Sequence, residues 1–263
     1  MKIGAIEIAP VVDGTGHEPR TEVVGREVEV EWDCPAHPTD KHGRLQLDFG
    51  GHLIRTAGRT LLVDAGIGTA TSEHRSGGQL PDSLRRLGVE LDEITDVVFT
   101  HLHYDHVGWA TQQGKVMFPN ATYRVHEDDW EHFVTSPSAV PGAIRKLSPL
   151  APQLETFDAE TEIAPGVIAR PAPGHTPGST VFVVADGGER ALLLGDVVHS
   201  VAEMTDPEWH GLYDLDPDAA RVVRDRVVNE AADAGDAIAA GHFPGLRFGR
   251  LVTSQGRRTF TYL

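Results

Sequence analysis

Val97-Val98-Phe99-Thr100-His101-Leu102-His103-Tyr104-Asp105-His106-Val107-Gly108 places four metal-ligating side chains within six residues, directly after a short apolar run. Imidazole nitrogens and carboxylate oxygens are the ligands that zinc and similar divalent cations prefer. Crowding them at a strand end costs desolvation and charge repulsion unless a cation compensates. Residues two apart in an extended segment face the same side, so His101 and His103 can grip one ion. Asp105 and His106 follow as the chain turns and point elsewhere, which lets one short loop serve two neighbouring ions. A surface loop that merely happens to contain histidines is the bland alternative, and the ligand density weighs against it.

Outward from this stretch, three more polar residues stand at strand-to-loop junctions. His175 lies in Ala172-Pro-Gly-His-Thr-Pro-Gly-Ser179, where proline and glycine fix a turn and free the imidazole. Asp196 follows the apolar run Leu192-Leu-Leu-Gly195, and His242 lies in Ala239-Ala-Gly-His-Phe-Pro-Gly245. Taken singly, such a histidine is more often a hydrogen-bonded structural residue. Beside the first cluster, all three read as ligands.

The chain has 263 residues, 40% of them hydrophobic and 24% charged, which fits a folded globular protein. Its net charge of −16 repels phosphate backbones and anionic bilayers, so neither nucleic acid nor membrane is an expected partner. The expected partner is a small-molecule substrate, with a homodimer left open. Cys34 is the only cysteine, so no internal disulfide can form, and a reducing cytoplasm is the expected compartment. No thiolate-lowering motif surrounds it. The N-terminus lacks the apolar block of a signal peptide, and no run reaches membrane-spanning length.

Residue patterning predicts strands over 3–12, 45–49, 52–56, 60–64, 96–100 and 122–126, with Asp13-Gly-Thr-Gly16 and Gly50-Gly51 as breaks. Residues 32–43 read as a loop, and helices are expected over 80–87 and 127–133. The proline-rich segment 136–152 is read as a mobile loop or broken helix over the site. Strands follow over 167–171, 180–185 and 191–194, the last two joined through Asp186-Gly187-Gly188. The clearest helix starts at Asp216-Pro217-Asp218 and ends at Gly235. Strands over 237–240, 246–253 and 259–263 close the chain. Candidate ligands spread from His101 to His242 require both halves to fold against each other, so one domain over 1–263 is expected.

At the level of motifs the chain resembles the metallo-β-lactamase superfamily. The match is carried by Val63-Asp-Ala-Gly66, Thr100-His-Leu-His-Tyr-Asp-His106, Pro173-Gly-His-Thr-Pro-Gly178, Gly195-Asp196 and Gly241-His242, in family order along nearly the whole chain. The resemblance implies an α+β fold, an αββα four-layer sandwich of two mixed sheets flanked by helices. It implies a first metal held by His101, His103 and His175, a second held by Asp105, His106 and His242, and Asp196 bridging both. Asp64 would support the ligand loop without binding metal. Two divalent ions, zinc foremost with manganese, cobalt or iron as alternatives, would then be the cofactors.

The same resemblance narrows the chemistry. Zinc β-lactamases commonly carry cysteine where Asp196 stands, single-iron dioxygenases lack some second-site ligands, and nuclease relatives need a cationic path. The segment Gly195-Asp-Val-Val-His199 looks closest to methyl-parathion-hydrolase-like and lactonase-like members. Acyl-homoserine lactonases usually have tyrosine where His199 stands, which shifts the expectation toward phosphotriesterase-like members. The implied function is a dinuclear hydrolase that attacks a neutral ester, lactone or phosphotriester with a metal-bridging hydroxide. Asp105 and His199 are the expected catalytic groups, His199 by polarising a substrate oxygen or protonating a leaving group. An iron-binding redox or dioxygenase member, or a β-lactam or thioester hydrolase, is the alternative. Trp109, Phe118, Met204, Trp209, Tyr213 and Phe243 lie near ligands in sequence and are the candidate pocket residues.

Overall fold

Period-two alternation on neighbouring strands decides the layering. In the computed structural model, which describes residues 1–263, Val181 and Val183 face one apolar layer while Phe182 and Val184 face another. Leu192 and Ile238 join the first layer; Ala191, Leu193, Ala237 and Ala239 join the second. The other sheet splits the same way, with Leu53, Leu62 and Val97 outward and Ile54, Leu61, Val63 and Val98 inward. The two inner faces share one core, and helices cover both outer faces. That is the αββα arrangement the resemblance implies.

The first sheet orders β1 (Ile6–Pro19), β2 (Arg44–Thr56), β3 (Arg59–Val63), β4 (Asp96–Val98), β5 (Thr122–His126) and β6 (Leu154–Phe157). Short pieces Lys2–Ile3 and Arg75–Ser76 pair with β1. The second sheet runs β7 (Thr161–Ala164), β8 (Val167–Pro171), β9 (Thr180–Asp186), β10 (Glu189–Leu193), β11 (Ala237–Ala239), β12 (Gly249–Ser254) and β13 (Arg257–Tyr262). Strands β3 to β6 are parallel neighbours, as are β10 and β11. β8 and β10 both run antiparallel to β9, so they share one direction. The C-terminal ends of β8, β10 and β11 therefore meet at one edge, as do those of β3 and β4 at the facing sheet's edge. Asp64, the loop 101–106, His175, Asp196 and His242 follow these five ends.

Two expected breaks are absent. β2 runs straight through Gly50-Gly51, because these glycines serve close strand approach rather than a turn. A Cβ at Gly50 would lie 2.1 Å from the Val11 carbonyl oxygen, and one at Gly51 would lie 2.2 Å from that of Asp64. β1 likewise continues through Asp13, absorbing an extra residue as a bulge between Val12 and Gly14. Segment 136–152 folds as the helix Pro141–Leu147 followed by tight turns over Ser148–Gln153, so its prolines start and stop helices. The helix after β5 is a single α-turn, Glu127–Trp130, that widens into a π-helical turn over Glu131–Thr135.

Other local signals hold. Asp186 pairs with Glu189 across Gly187 and Gly188, both at positive φ, as the tight hairpin requires. The helix Pro217–Ala234 is capped by Asp216 Oδ1, which accepts the Ala219 N–H at 3.0 Å. It ends on Gly235 at φ 69°. No helix is long and apolar enough to cross a membrane.

Candidate metal centre

The β4 end delivers His101 and His103 on one side of the chain. His101 Nε2 lies 3.0 Å from His103 Nδ1, and His175 Nε2 lies 2.9 Å from the same atom. A second group joins Asp105, His106 and His242, with Asp105 Oδ2 3.6 Å from His242 Nε2. Asp196 stands between the two groups. Its Oδ1 is 3.3 Å from His106 Nε2, and its Oδ2 is 3.0 Å from His242 Nε2 and 3.6 Å from His175 Nε2. All seven residues named from the sequence thus converge.

The outer nitrogens of these rings are held by the protein. His106 Nδ1 meets Asp64 Oδ2 at 2.9 Å, His175 Nδ1 meets Asp214 Oδ1 at 3.1 Å, and His242 Nδ1 meets the Asp48 carbonyl at 3.2 Å. Partners of this kind fix ring orientation and leave the inner nitrogen free to bind a cation. Asp64 also accepts the Thr100 N–H and hydroxyl at 2.8 and 2.7 Å, and it does so from a left-handed backbone at φ 62°. That conformation is costly for a non-glycine residue and marks a position fixed by its neighbours.

Electrostatics fit the donor set to cations. Burial pushes the His101 imidazole well below its ordinary range, with His106 adding to the effect. Burial and the neighbouring His175 bring His103 down to about 4. Both rings are therefore neutral near pH 7, the form that binds metal. Burial would raise Asp196, but His242 and His106 outweigh it and hold the carboxyl well below the usual carboxylate range. His106 Nε2 and Asp196 Oδ1 are buried without any well-formed hydrogen bond. A Cβ at Gly241 would sit 2.5 Å from Asp196 Oδ1 and 2.9 Å from His106 Cε1, so glycine keeps this cradle open. His106 Nε2 and Asp196 Oδ1 face each other across the shared space at 3.3 Å. Burial would lower His106, but the Asp196 and Asp64 carboxylates outweigh it and hold the ring well above its ordinary range, so a divalent cation here would take the place of its proton.

Above the cluster lies a cavity of about 420 Å³. Its apolar wall is Val23, Leu47, Phe49 and Leu215, and its rim holds Glu18, Arg75, Tyr104 and Tyr213. His199 lines it too, with Nε2 3.8 Å from Asp196 Oδ2, Nδ1 3.8 Å from Glu203 Oε2 and neither nitrogen in a hydrogen bond. Burial would lower the ring, but Glu203 and Asp196 raise it to about 9. Of the six aromatic and methionine residues expected in the pocket, the structure brings only Tyr213 there. Trp109 is buried outside the first sheet and donates its indole N–H to Asp13 at 2.8 Å. Phe118 fills the same layer; Met204 and Phe243 are fully buried in the layer outside the second sheet. Trp209 packs edge-on against Trp32 at 5.1 Å. Nearness to a ligand in sequence does not set side-chain direction, and full burial of large apolar groups stabilises the core most.

Three carboxylates escape sequence reading. Asp129 Oδ2 accepts the Leu102 N–H and its Oδ1 the Gly178 N–H, tying the first histidine loop to the His175 turn. Asp214 is 39 residues from the histidine it orients, and Arg224 binds it at 2.8 Å. Glu203 accepts the N–H groups of His199 and Ser200 at 2.7 and 2.8 Å. None lies in a motif, and no signal short of the fold links them to the site. Cys34 is buried away from it, and burial raises its thiol to about 11, which keeps it unreactive.

A four-layer sandwich with candidate ligands for two cations at one edge is the layout of a dinuclear metallohydrolase fold. The chain belongs to the metallo-β-lactamase superfamily, whose family description, "Metallo-beta-lactamase superfamily", matches residues 52–242. It is 28% identical over 171 residues to the N-acyl homoserine lactonase AiiB of Agrobacterium fabrum, covering 55% of this chain and 60% of that protein. It is 25% identical over 182 residues to the N-acyl homoserine lactonase AiiA of Bacillus thuringiensis subsp. kurstaki, covering 62% of this chain and 68% of that one. The match thus spans about 60% of the first relative's length. Among solved structures, AidC, a dizinc quorum-quenching lactonase in complex with a product, superposes with a TM-score of 0.83 at 23% identity, over 99% of this chain and 95% of that one. The hydrolase AbOPH gives 0.83 at 24% identity over 100% and 95%. At these identities the two structures speak to the fold.

Proposed function

We propose that this protein is a dinuclear, zinc-dependent hydrolase that opens a neutral lactone or ester, with N-acyl homoserine lactones as the leading substrate class. The observation that carries this is the meeting of two ligand triads on one shared carboxylate, Asp196, beneath an apolar cavity. The curated relatives, named as lactonases, support the lactone over other neutral electrophiles.

His101, His103 and His175 would hold one cation, Asp105, His106 and His242 the other, with Asp196 touching both. When bound, the cations supply an acidified water and an electrophilic pull on the carbonyl oxygen. The chain's own groups do the rest. Asp105, less buried than His242 beside it, is placed to take the proton that the attacking water gives up. The new carbon–oxygen bond forms at the acyl carbon, the ring or ester oxygen leaves, and that oxygen receives a proton. His199 faces the cavity with ring nitrogens in no hydrogen bond and is placed to hydrogen-bond the substrate oxygen or supply that proton. Val23, Leu47, Phe49 and Leu215 exclude water from one side and give an acyl arm its surface. His199 also supports a second reading, an aryl phosphotriester in the same site, because the resemblance puts tyrosine there in acyl-homoserine lactonases.

The test is acid release from an N-acyl homoserine lactone and from an aryl phosphotriester, followed by pH-stat alongside elemental analysis. Two divalent ions per chain are expected, with lactone turnover abolished by chelation and restored by zinc. Protein that retains no metal, or metal-loaded protein inert toward both substrates, overturns the reading.

A further inference from the structure

Two hollows meet at Arg75. The cavity above the metal cluster and a second hollow of about 440 Å³, lined by Ile67, Ala70 and His74 among others, share Glu18, Arg75 and Tyr104 as wall residues. The Arg75 guanidinium donates to the Glu18 carboxylate and to the Tyr104 hydroxyl oxygen. Its Cζ lies 5.9 Å from the Tyr104 ring centroid. The Glu18 side chain is only 10% exposed, so the carboxylate half of the pair is set into the wall, while the Arg75 side chain, 31% exposed, reaches from it toward the opening.

Backbone packing holds this partition in place. Arg75 lies in the short strand opposite Gly16 of β1. A Cβ at Gly16 would sit 2.9 Å from the Phe49 ring and 3.3 Å from Arg75 Cγ, so the absent side chain leaves the Arg75 stem lying beside the Phe49 wall. An apolar arm that follows Leu47 and Phe49 away from the metal cluster thus runs into a paired guanidinium. A methylene chain offers that group nothing, and displacing it would strand a nearly buried carboxylate.

We propose that Arg75, latched by Glu18 and Tyr104, is a specificity-determining residue that sets the longest alkyl or acyl arm the site takes. Removing the latch joins the two hollows into one longer channel. The inference rests on reading the site as one for lactones or esters that carry such an arm.

The experiment is calorimetric binding of straight-chain alkanoates, from butanoate to dodecanoate, to the metal-loaded protein, which needs no turnover. Turnover of N-acyl homoserine lactones of the same lengths is measured in parallel. The variants are Arg75→Met and the double variant Glu18→Gln with Arg75→Met, which leaves no buried carboxylate unpaired. Wild-type affinity should rise by about fourfold per added methylene and then level off, while both variants keep rising over several further carbons. The dodecanoyl-to-butanoyl ratio of kcat/KM should increase by about tenfold or more in the variants, for the same burial reason. Levelling at one common length in all three proteins, an equal loss at every length, or no alkanoate binding to any of them overturns the proposal. A plateau that shifts in the variants without lactone turnover in the wild type leaves the Arg75 wall standing and sinks the hydrolase reading instead.

Discussion

Asp129 accepts the backbone N–H of Leu102 at 2.9 Å, from a position fully inside the protein. Its other oxygen accepts Gly178 N–H at 2.7 Å, so one carboxylate sets the spacing between the His101–His103 strand end and the His175 turn. Asp129→Asn replaces one acceptor oxygen with an N–H₂ that faces a donor. Affinity for the first cation should fall by about 10- to 100-fold, as for other partners that position ligands, and stability by about 1–3 kcal/mol. Competition with a chromophoric chelator measures the first and urea unfolding the second. Unchanged metal affinity would remove Asp129 from the supporting structure.

Gly241 tests the cradle directly. With a Cβ placed 2.5 Å from Asp196 Oδ1, Gly241→Ala should displace the Asp196 carboxylate proposed to bridge the two cations. We expect kcat/KM to drop by about 10²-fold, the scale of a 1 Å misplacement at a reacting centre, with the second cation bound more weakly than the first. Stepwise cobalt titration followed by absorbance separates the two sites. Two equal, undisturbed binding steps would contradict the geometry.

His199→Phe removes both ring nitrogens, which lie 3.8 Å from the Asp196 and Glu203 carboxylates, while keeping a ring of similar shape. If His199 meets the substrate oxygen, kcat should fall by about 10²-fold or more with metal content unchanged. Loss of a cation in the same variant would make His199 a ligand, a role its 3.8 Å distance from Asp196 also allows in space.

His52 gives a pH dependence that does not involve the metal ligands. It is buried with its ring N–H donating to the Leu246 carbonyl at 2.9 Å, and burial lowers it from 6.5 to about 4 although that carbonyl pulls the other way. The folded chain therefore keeps this ring neutral where the unfolded chain binds a proton. It costs the fold nothing well above pH 6.5 and destabilises it increasingly as pH falls through that value. The loss is complete near pH 4, at about 3 kcal/mol, a loss His52→Gln should not show. Comparing urea midpoints of wild type and His52→Gln from neutral pH down to about pH 4 cancels the common ligand histidines. Parallel curves would refute the assignment.

Particular residues show how far local reading reaches. The run 97–108 was legible because ligand types at short spacing carry their chemistry with them. The hairpin at Gly187-Gly188 and the cap at Asp216 were legible because turn and cap geometry depend on a few adjacent residues. Gly50-Gly51 misleads, since the same glycine that makes a turn also lets two backbones touch, and only the neighbouring strand distinguishes the cases. The aromatic residues mislead for a similar reason: Phe243 directly follows a candidate ligand yet points into the core, while Phe49, distant in sequence, walls the cavity.

By itself the sequence determined the ligand inventory, the alternation that makes each strand two-faced, and the residues that cap and turn the chain, all of which act over a few positions. Tertiary structure alone decided that five strand ends share an edge, that Asp129 and Asp214 brace loops far from them in sequence, and that Arg75 divides two hollows. Those outcomes depend on strand order and on which surfaces are buried together. Such relations are set by the free energy of the whole packed core and are not encoded in any one stretch of residues.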